Sequence, residues 1–346
     1  MEDEKVIHDR MIANISDDYD KSKGEFIYDI TKPVAVEFAE QQKKIAAVQE
    51  KLDVEKLTGD ELTRTVYQRT GISRKPATQV TTTVIVSGTA GTAVKVGELV
   101  GTDTLLYTVI EEAVLNESGF AHVRIQCNES GQIGNVPANT IVNFPASING
   151  LVNVYNPEPV TNGYDEETDN DLRQRYYDKL QRPGKAGNKY HYREWALEVT
   201  GVGDAKIFPR YNGPLSMKVV VIDANKLPAN AELVEAVIAH IDEEMPFGVD
   251  DLLVIPAEAL LINLSVALTI MPGYTEEVVK ENIKKNITKH LKEIAFKTSF
   301  VSYAKIGALI IESDGVLDYQ NLLINGSTAN VVIPDDGVPV IGGVNE

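Results

Sequence analysis

Around Arg74 the chain changes chemical character within a few residues, and the two sides of that change ask for different secondary structure. From position 76 to 155 the only lysine or arginine residues are Lys95 and Arg124, while Thr, Val, Gly and Asn dominate. Segments such as Val80-Thr-Thr-Thr-Val-Ile-Val86 and His122-Val-Arg-Ile-Gln126 alternate or are β-branched, the pattern of half-buried strands. Gly88, Gly91, Gly97, Gly101, Gly119, Gly131 and Gly134 recur at turn-like intervals. An all-β module of short strands is predicted.

The residues before the break read as helical. Thr31-Lys32-Pro33 predicts a helix start, with Thr31 as cap and Pro33 in the first turn. From there to Leu57 the chain has no glycine and no further proline. A helix from Lys32 to Leu57 would span about 39 Å at the usual rise per residue. Val34, Phe38, Ile45, Val48 and Leu52 fall on one face, with Gln41 and Gln42 interrupting the stripe. Such a stripe either packs on its own domain or joins a bundle with partner chains. These five residues are the candidate interface.

Beyond Asn156-Pro157-Glu158-Pro159 an acidic cluster, Asp165 to Asp171, runs into Leu172-Arg-Gln-Arg-Tyr-Tyr177. Carboxylates there suit a helix N-terminus. A second helix is predicted from Tyr190 to Val199. Strand and helix signals then alternate twice: Ala205 to Phe208, Met217 to Ile222, Ala231 to Glu244 and Leu252 to Ile255 form the first set. Leu260 to Ile270, Glu276 to Ile294, Tyr303 to Glu312 and Gly315 to Leu323 form the second. The pattern predicts two small α+β sandwiches in tandem. The segment from Asn330 to Glu346, with Pro334, Pro339 and a glycine pair, is expected to lie extended along a surface. The predicted fold class is therefore α+β and multidomain, divided at 1–75, 76–156, 157–258 and 259–346. Cuts by protease are expected near Arg74–Lys75 or between Pro157 and Tyr164.

Charge narrows the partners. The 346 residues carry 33 Lys+Arg against 51 Asp+Glu, a formal net charge of -18, which opposes binding to phosphate backbones and anionic bilayers. Nucleic-acid and membrane partners are not expected. Aromatic residues make up 7%, thin for base-stacking platforms. A single cysteine, Cys127, excludes an internal disulfide and a Cys-rich metal site. The acidic start Met1-Glu2-Asp3-Glu4-Lys5 lacks a basic signal region, so synthesis in the cytoplasm is expected.

Catalytic signatures are missing. The sequence has no phosphate loop, dinucleotide fingerprint, zinc helix or nucleophile elbow. His8, His122, His191, His240 and His290 are scattered, with no two at ligand spacing. His122 and Cys127 are five apart on one strand stretch, so their side chains should face opposite sides. The acidic cluster resembles a calcium loop only superficially: Asn170 replaces the glycine and Tyr176 stands where a bidentate Glu belongs. Helix capping is the simpler reading. Trp195 reads as a core anchor. Arg173, Arg175, Lys179, Arg182 and Lys185 read as a solvated helix face, or alternatively a docking patch for an acidic neighbour. Neither an enzyme nor a cofactor is expected.

Ordered phrases say more than any single residue. Gly71-Ile-Ser-Arg-Lys-Pro-Ala-Thr78 closes the helical part, and Val96-Gly97 and Ser130-Gly-Gln-Ile-Gly-Asn-Val-Pro-Ala-Asn-Thr-Ile141 punctuate the β module. Gly163-Tyr-Asp-Glu-Glu167, Leu172-Arg-Gln-Arg175, Gly187-Asn188, Trp195-Ala196 and Val199-Thr-Gly-Val-Gly-Asp-Ala205 follow, then Val301-Ser-Tyr303 and Gly315-Val-Leu-Asp318. In this order they resemble the baseplate J-like family of contractile phage tails and tail-like bacteriocins, in a form most like that of Gram-positive prophages. Two departures are local: Asn162-Gly163 stands where the family has a glycine pair, and Gln79-Val80 replaces small residues after Thr78.

The resemblance implies a structural wedge protein of the baseplate. Two copies would join one smaller wedge protein through a helical bundle. Neighbouring wedges, a lysozyme-like wedge protein and the central hub would complete the ring. No catalytic residues come with the family. The runner-up is a carbohydrate-binding or adhesin module on the β segment, against which the scarcity of aromatics counts.

Overall fold

The computed structural model describes residues 2–185, 187–245 and 251–345. They fall into two compact units, Met1–Arg74 with Thr168–Leu180, and Lys75–Glu167 with Gln181–Glu346.

The first unit is helical. Helix α1 (Glu4–Ala13) is capped by Asp3, whose side chain accepts from the Val6 N–H. Helix α2 (Phe26–Glu50) runs 25 residues, about 37 Å. It begins five residues before the predicted Thr31 cap and ends seven before Leu57. Pro33 therefore lies inside the helix, where it removes one backbone hydrogen bond. Thr31 is buried within α2, and its hydroxyl donates to the Ile27 carbonyl at 2.7 Å. Packing of this face against α1 outweighs the local start signal.

Helix α3 (Gly59–Thr70) ends at Gly71, which sits at φ +75°, the left-handed conformation of a helix C-cap. Helix α4 (Asp169–Gln181) packs on α3, although the sequence reading places it with the middle segment. Val54, Leu57, Leu62, Val66, Leu172 and Tyr176 form their shared core.

The second unit begins with the β module. Strands β1 (Gln79–Gly88), β3 (Leu99–Gly101), β4 (Leu106–Val109), β6 (Phe120–Ser130) and β7 (Leu151–Tyr155) form one sheet in the order β3-β4-β6-β1-β7. A short ribbon pairs β2 (Ala93–Val94) with β5 (Ala113–Val114). A bridge from Gly101 to Asn143 helps curl the sheet into a nearly closed barrel. Along β6, Ala121, Val123, Ile125 and Cys127 point inward and Phe120, His122 and Arg124 outward, the strict alternation of a one-sided strand. Inside lie Val80, Val84, Val100, Tyr107, Val109 and Ile141. Just after β7, Asn156 is fully buried, accepts from the N–H groups of Thr140 and Ile141 and donates to the carbonyls of Pro137 and Glu158.

Two helix-on-sheet layers follow, as expected. Strands β8 (Val202–Pro209), β9 (Ser216–Asp223) and β10 (Asp251–Pro256) carry helices α5 (Lys189–Glu198) and α6 (Ala231–Glu244) on one face. Trp195 anchors this core against Tyr192. Next, β11 (Glu258–Ile270), β13 (Val316–Ile324) and β15 (Gly337–Asn345) pack on α7 (Glu276–Ile294) and α8 (Tyr303–Ile311). A ribbon pairs β12 (Phe300–Val301) with β14 (Val331–Val332). The expected surface segment after Asn330 instead includes a core strand: β15 runs parallel to β11, with Val338 fully buried. Pro339 is tolerated there because β15 is an edge strand.

Candidate functional site

Helix α2 has two faces of opposite habit. Thr31, Ala35 and Ala39, spaced four apart, are buried against α1, where Ile7 and Met11 meet the two alanines. Small residues let the helices approach closely. His8 closes this seam, its Nε2 hydrogen-bonded to the Thr31 hydroxyl at 2.9 Å and its ring standing edge-on to Tyr28.

Among the described residues the other face stands largely exposed. Val34 is 42% exposed, Phe38 54%, Ile45 58%, Val48 60% and Leu52 64%. Phe26 and Ile30 extend the same exposure toward the N-terminus. Four of the five candidates lie on α2, and Leu52 sits in the turn just after it. From Phe38 the spacing runs through Gln41, Ile45, Val48 and Leu52 by threes and fours, the a/d rhythm of a coiled-coil seam. Gln41 falls on this rhythm and so lies on the same face as the stripe it interrupts. Beyond Gln42, whose side chain accepts from the Glu2 N–H, α1 no longer accompanies α2. A bare helical end of this length is marginal in water without a neighbour.

The acidic cluster is spent on the chain's own backbone. Asp165 accepts from the Gln132 N–H at 2.7 Å, and Glu167 from that of Lys75. Thr168 caps α4 by accepting from the Asp171 N–H. Asp169 accepts from the Gly59 N–H and pairs with Arg74 at 2.5 Å. Among the described residues no cluster of His, Cys, Asp and Glu could hold a metal ion. The arginines after the cluster are equally internal: Arg173 donates to the carbonyls of Val54 and Leu57, and Arg175 to that of Ser73. The docking-patch reading of Arg173 and Arg175 yields to this stapling of α4 to the preceding loop. Spacing gives no hint of these pairs.

Cys127 is buried among the barrel side chains, and burial pushes its thiol up, away from the reactive thiolate. His122 points outward from the same strand, as the odd offset predicts. A polar cleft of about 620 Å³ lies against the barrel, lined by Thr81, Thr83, His122, Arg124, Glu158, Asn162 and Glu232 among others. Among the described residues no Phe, Tyr or Trp lines it. No helix among the described residues is long and apolar enough to cross a membrane.

The chain resembles known proteins along most of its length. Three family models match in sequence: Baseplate J-like protein barrel domain over residues 83–163, Baseplate J-like central domain over 184–256, and Baseplate J-like protein C-terminal domain over 262–345. The Phage-like element PBSX protein XkdT of Bacillus subtilis is 30% identical, covering 98% of this chain and 96% of its own length. The Baseplate protein gp47 of Escherichia phage Mu is 27% identical over 50% of each chain. Among solved structures, a chain of the anti-feeding prophage baseplate is similar with a TM-score of 0.41 and 12% identity, over 98% of this chain and 89% of that one. With three family matches spanning more than half of its residues and a relative alike over nearly all of them, this chain belongs to the baseplate J-like family.

Proposed function

We propose that the chain is a wedge component of the baseplate of a phage tail or tail-like particle, built for assembly and not for catalysis. The observation that carries this reading is the uncovered seam of Val34, Phe38, Ile45, Val48 and Leu52. Its occupants would be helices of a second copy of this chain and of a smaller wedge protein. In this reading the chain works as four parts, 1–75, 76–156, 157–258 and 259–346, with α4 lent to the first. It is made in the bacterial host's cytoplasm and carried into the particle, where neighbouring wedges, the hub and a lysozyme-like wedge protein surround it. Its mechanism is conformational: rigid parts shift at their interfaces when the baseplate is triggered and pass that shift to sheath contraction. No cofactor or metal takes part.

Phe38→Asp and Ile45→Asp test the seam. Each would bury an unpaired charge in the bundle, a penalty of several kcal/mol that dissolves most interfaces. The free chain should stay folded, because both positions face water there. The experiment is co-expression with the smaller wedge protein, size-exclusion of the product and a thermal melt of each free variant. Loss of the complex with an unchanged melt is expected. A complex that survives both substitutions overturns the proposal, and a collapsed melt would give the stripe to the protein's own core.

A further inference from the structure

Strand β9 ends in a buried acid. Asp223 is 4% exposed and opens a tight turn, Asp223-Ala-Asn-Lys-Leu227. Main-chain bonds tie the turn in place: Asp223 N–H to Leu227 O at 2.8 Å, Ala224 N–H to Gly201 O at 2.7 Å, and Lys226 N–H to Asp223 O at 2.9 Å. Lys226 holds φ +62°, in the left-handed region. Beneath it, a Cβ on Gly203 would lie 2.0 Å from the Asp223 carbonyl oxygen, so the turn rests directly on β8.

The carboxylate accepts from the backbone N–H of Leu227 at 2.8 Å and from that of Asn225. The charged and titratable groups that face this site come from four places. Lys226 is in the turn itself, with its ammonium on the Gly203 carbonyl at 2.9 Å, and the charge of Lys292 on α7 also acts on the carboxylate. Tyr164 belongs to the segment leaving the barrel, and Glu232 of α6 bears on that same phenol. Burial outweighs the two lysines and raises the Asp223 carboxyl to about 7.

Asn225 links this acid to its surroundings. It is 5% exposed, its Nδ2 donates to the Gly163 carbonyl at 3.2 Å, and its Oδ1 is buried without a hydrogen-bond partner. Gly163 lies where the chain passes from the barrel to the middle layer, clasped from the other side by Asn135. Ionising Asp223 would place a buried negative charge in the same turn as Asn225 Oδ1, an acceptor already without a donor. A neutral carboxyl carries no buried charge and supplies an O–H donor within the turn.

We infer that the Asp223–Leu227 turn is a proton-sensitive latch, which holds the Gly163 segment to the middle layer while Asp223 is protonated and loosens when it ionises. The sign follows from linkage. A carboxyl whose pKa is raised by folding binds its proton more tightly in the folded chain. Stability is therefore greatest below the ordinary carboxylate range and falls as pH rises from there through about 7.

Thermal melts of the full chain and of Asp223→Asn between about pH 5.5 and 8.5 test this. The wild-type melting temperature should drop by several degrees across that interval, and that of Asp223→Asn should stay nearly level. Hydrogen exchange of the wild-type chain, corrected for intrinsic rates, should show the peptides around Leu227 and Gly163 opening about tenfold more at the higher pH. Asn225→Ala should open the Gly163 peptide at both pH values while keeping the wild-type pH dependence of melting. Equal protection of both peptides at the two pH values overturns the inference, as does an Asp223→Asn variant with the wild-type pH dependence. If Asp223→Asn does not fold, wild-type exchange decides alone.

Discussion

Arg74 gathers one end of the helical unit onto a single side chain. Its guanidinium reaches Thr63 Oγ1, the Gly59 carbonyl and Asp169, while Asp169 accepts from the Gly59 N–H at the start of α3. The Arg74 hydrogen bond, with help from that N–H, holds the Asp169 carboxyl below its usual range. Asp169→Ala should therefore cost about 2 kcal/mol, the worth of hydrogen bonds to an ionised group that is partly buried. A shift of the urea midpoint at unchanged slope measures it. Because the folded pKa is depressed, this stabilisation is complete above the ordinary carboxylate range and is lost as pH falls through the lowered value. At this scale the sequence is legible only where a rule of period applies. The opposite facing of His122 and Cys127 follows from counting along a strand. The meeting of Arg74 with Asp169, 95 positions away, follows from no spacing, because it depends on how two distant helices pack.

Among the elements, α2 shows both the reach and the limit of pattern reading. Its stripe is plain in the sequence, since period 3.6 marks a face whatever that face meets. Its start is not legible there, because proline is a good first-turn residue, and the burial of Thr31 and Ala35 against α1 carries the helix back to Phe26. Pro33→Ala restores one helix hydrogen bond and should raise the local opening free energy of α2 by about 1–3 kcal/mol. Hydrogen exchange over residues 26–50 reads that gain; unchanged exchange would mean that the helix tolerates Pro33 without cost. The strands and helices after β7 were legible within a few residues, because glycine and proline punctuate them. The last strand was not. Proline and paired glycines in β15 argue for an exposed segment, and its place beside β11 comes from parallel pairing across the domain.

For the molecule as a whole, the middle and C-terminal layers are joined by a core of their own. Val220 and Ile222 of β9 turn away from α5 and α6 to meet Ala257, Ala295 and Val338. Lys218 adds an ion pair to Asp336 at 2.7 Å. Strand β9 is thus buried on both faces, which its unbroken Val219-Val-Val-Ile222 run anticipates. Ile222→Ala should cost about 3 kcal/mol through the lost contacts and the cavity left behind. Both layers should lose stability together by domain-resolved exchange, whereas loss in one layer alone would mean that the joint is not cooperative. The proposed role in assembly rests on the exposed stripe of α2. The most direct test is hydrogen exchange over Phe26–Glu50, measured in the free chain and in the assembled baseplate. Slow exchange only after assembly, strongest from Phe38 to Val48, is the predicted result. Exchange that is equally fast in both states would contradict the account.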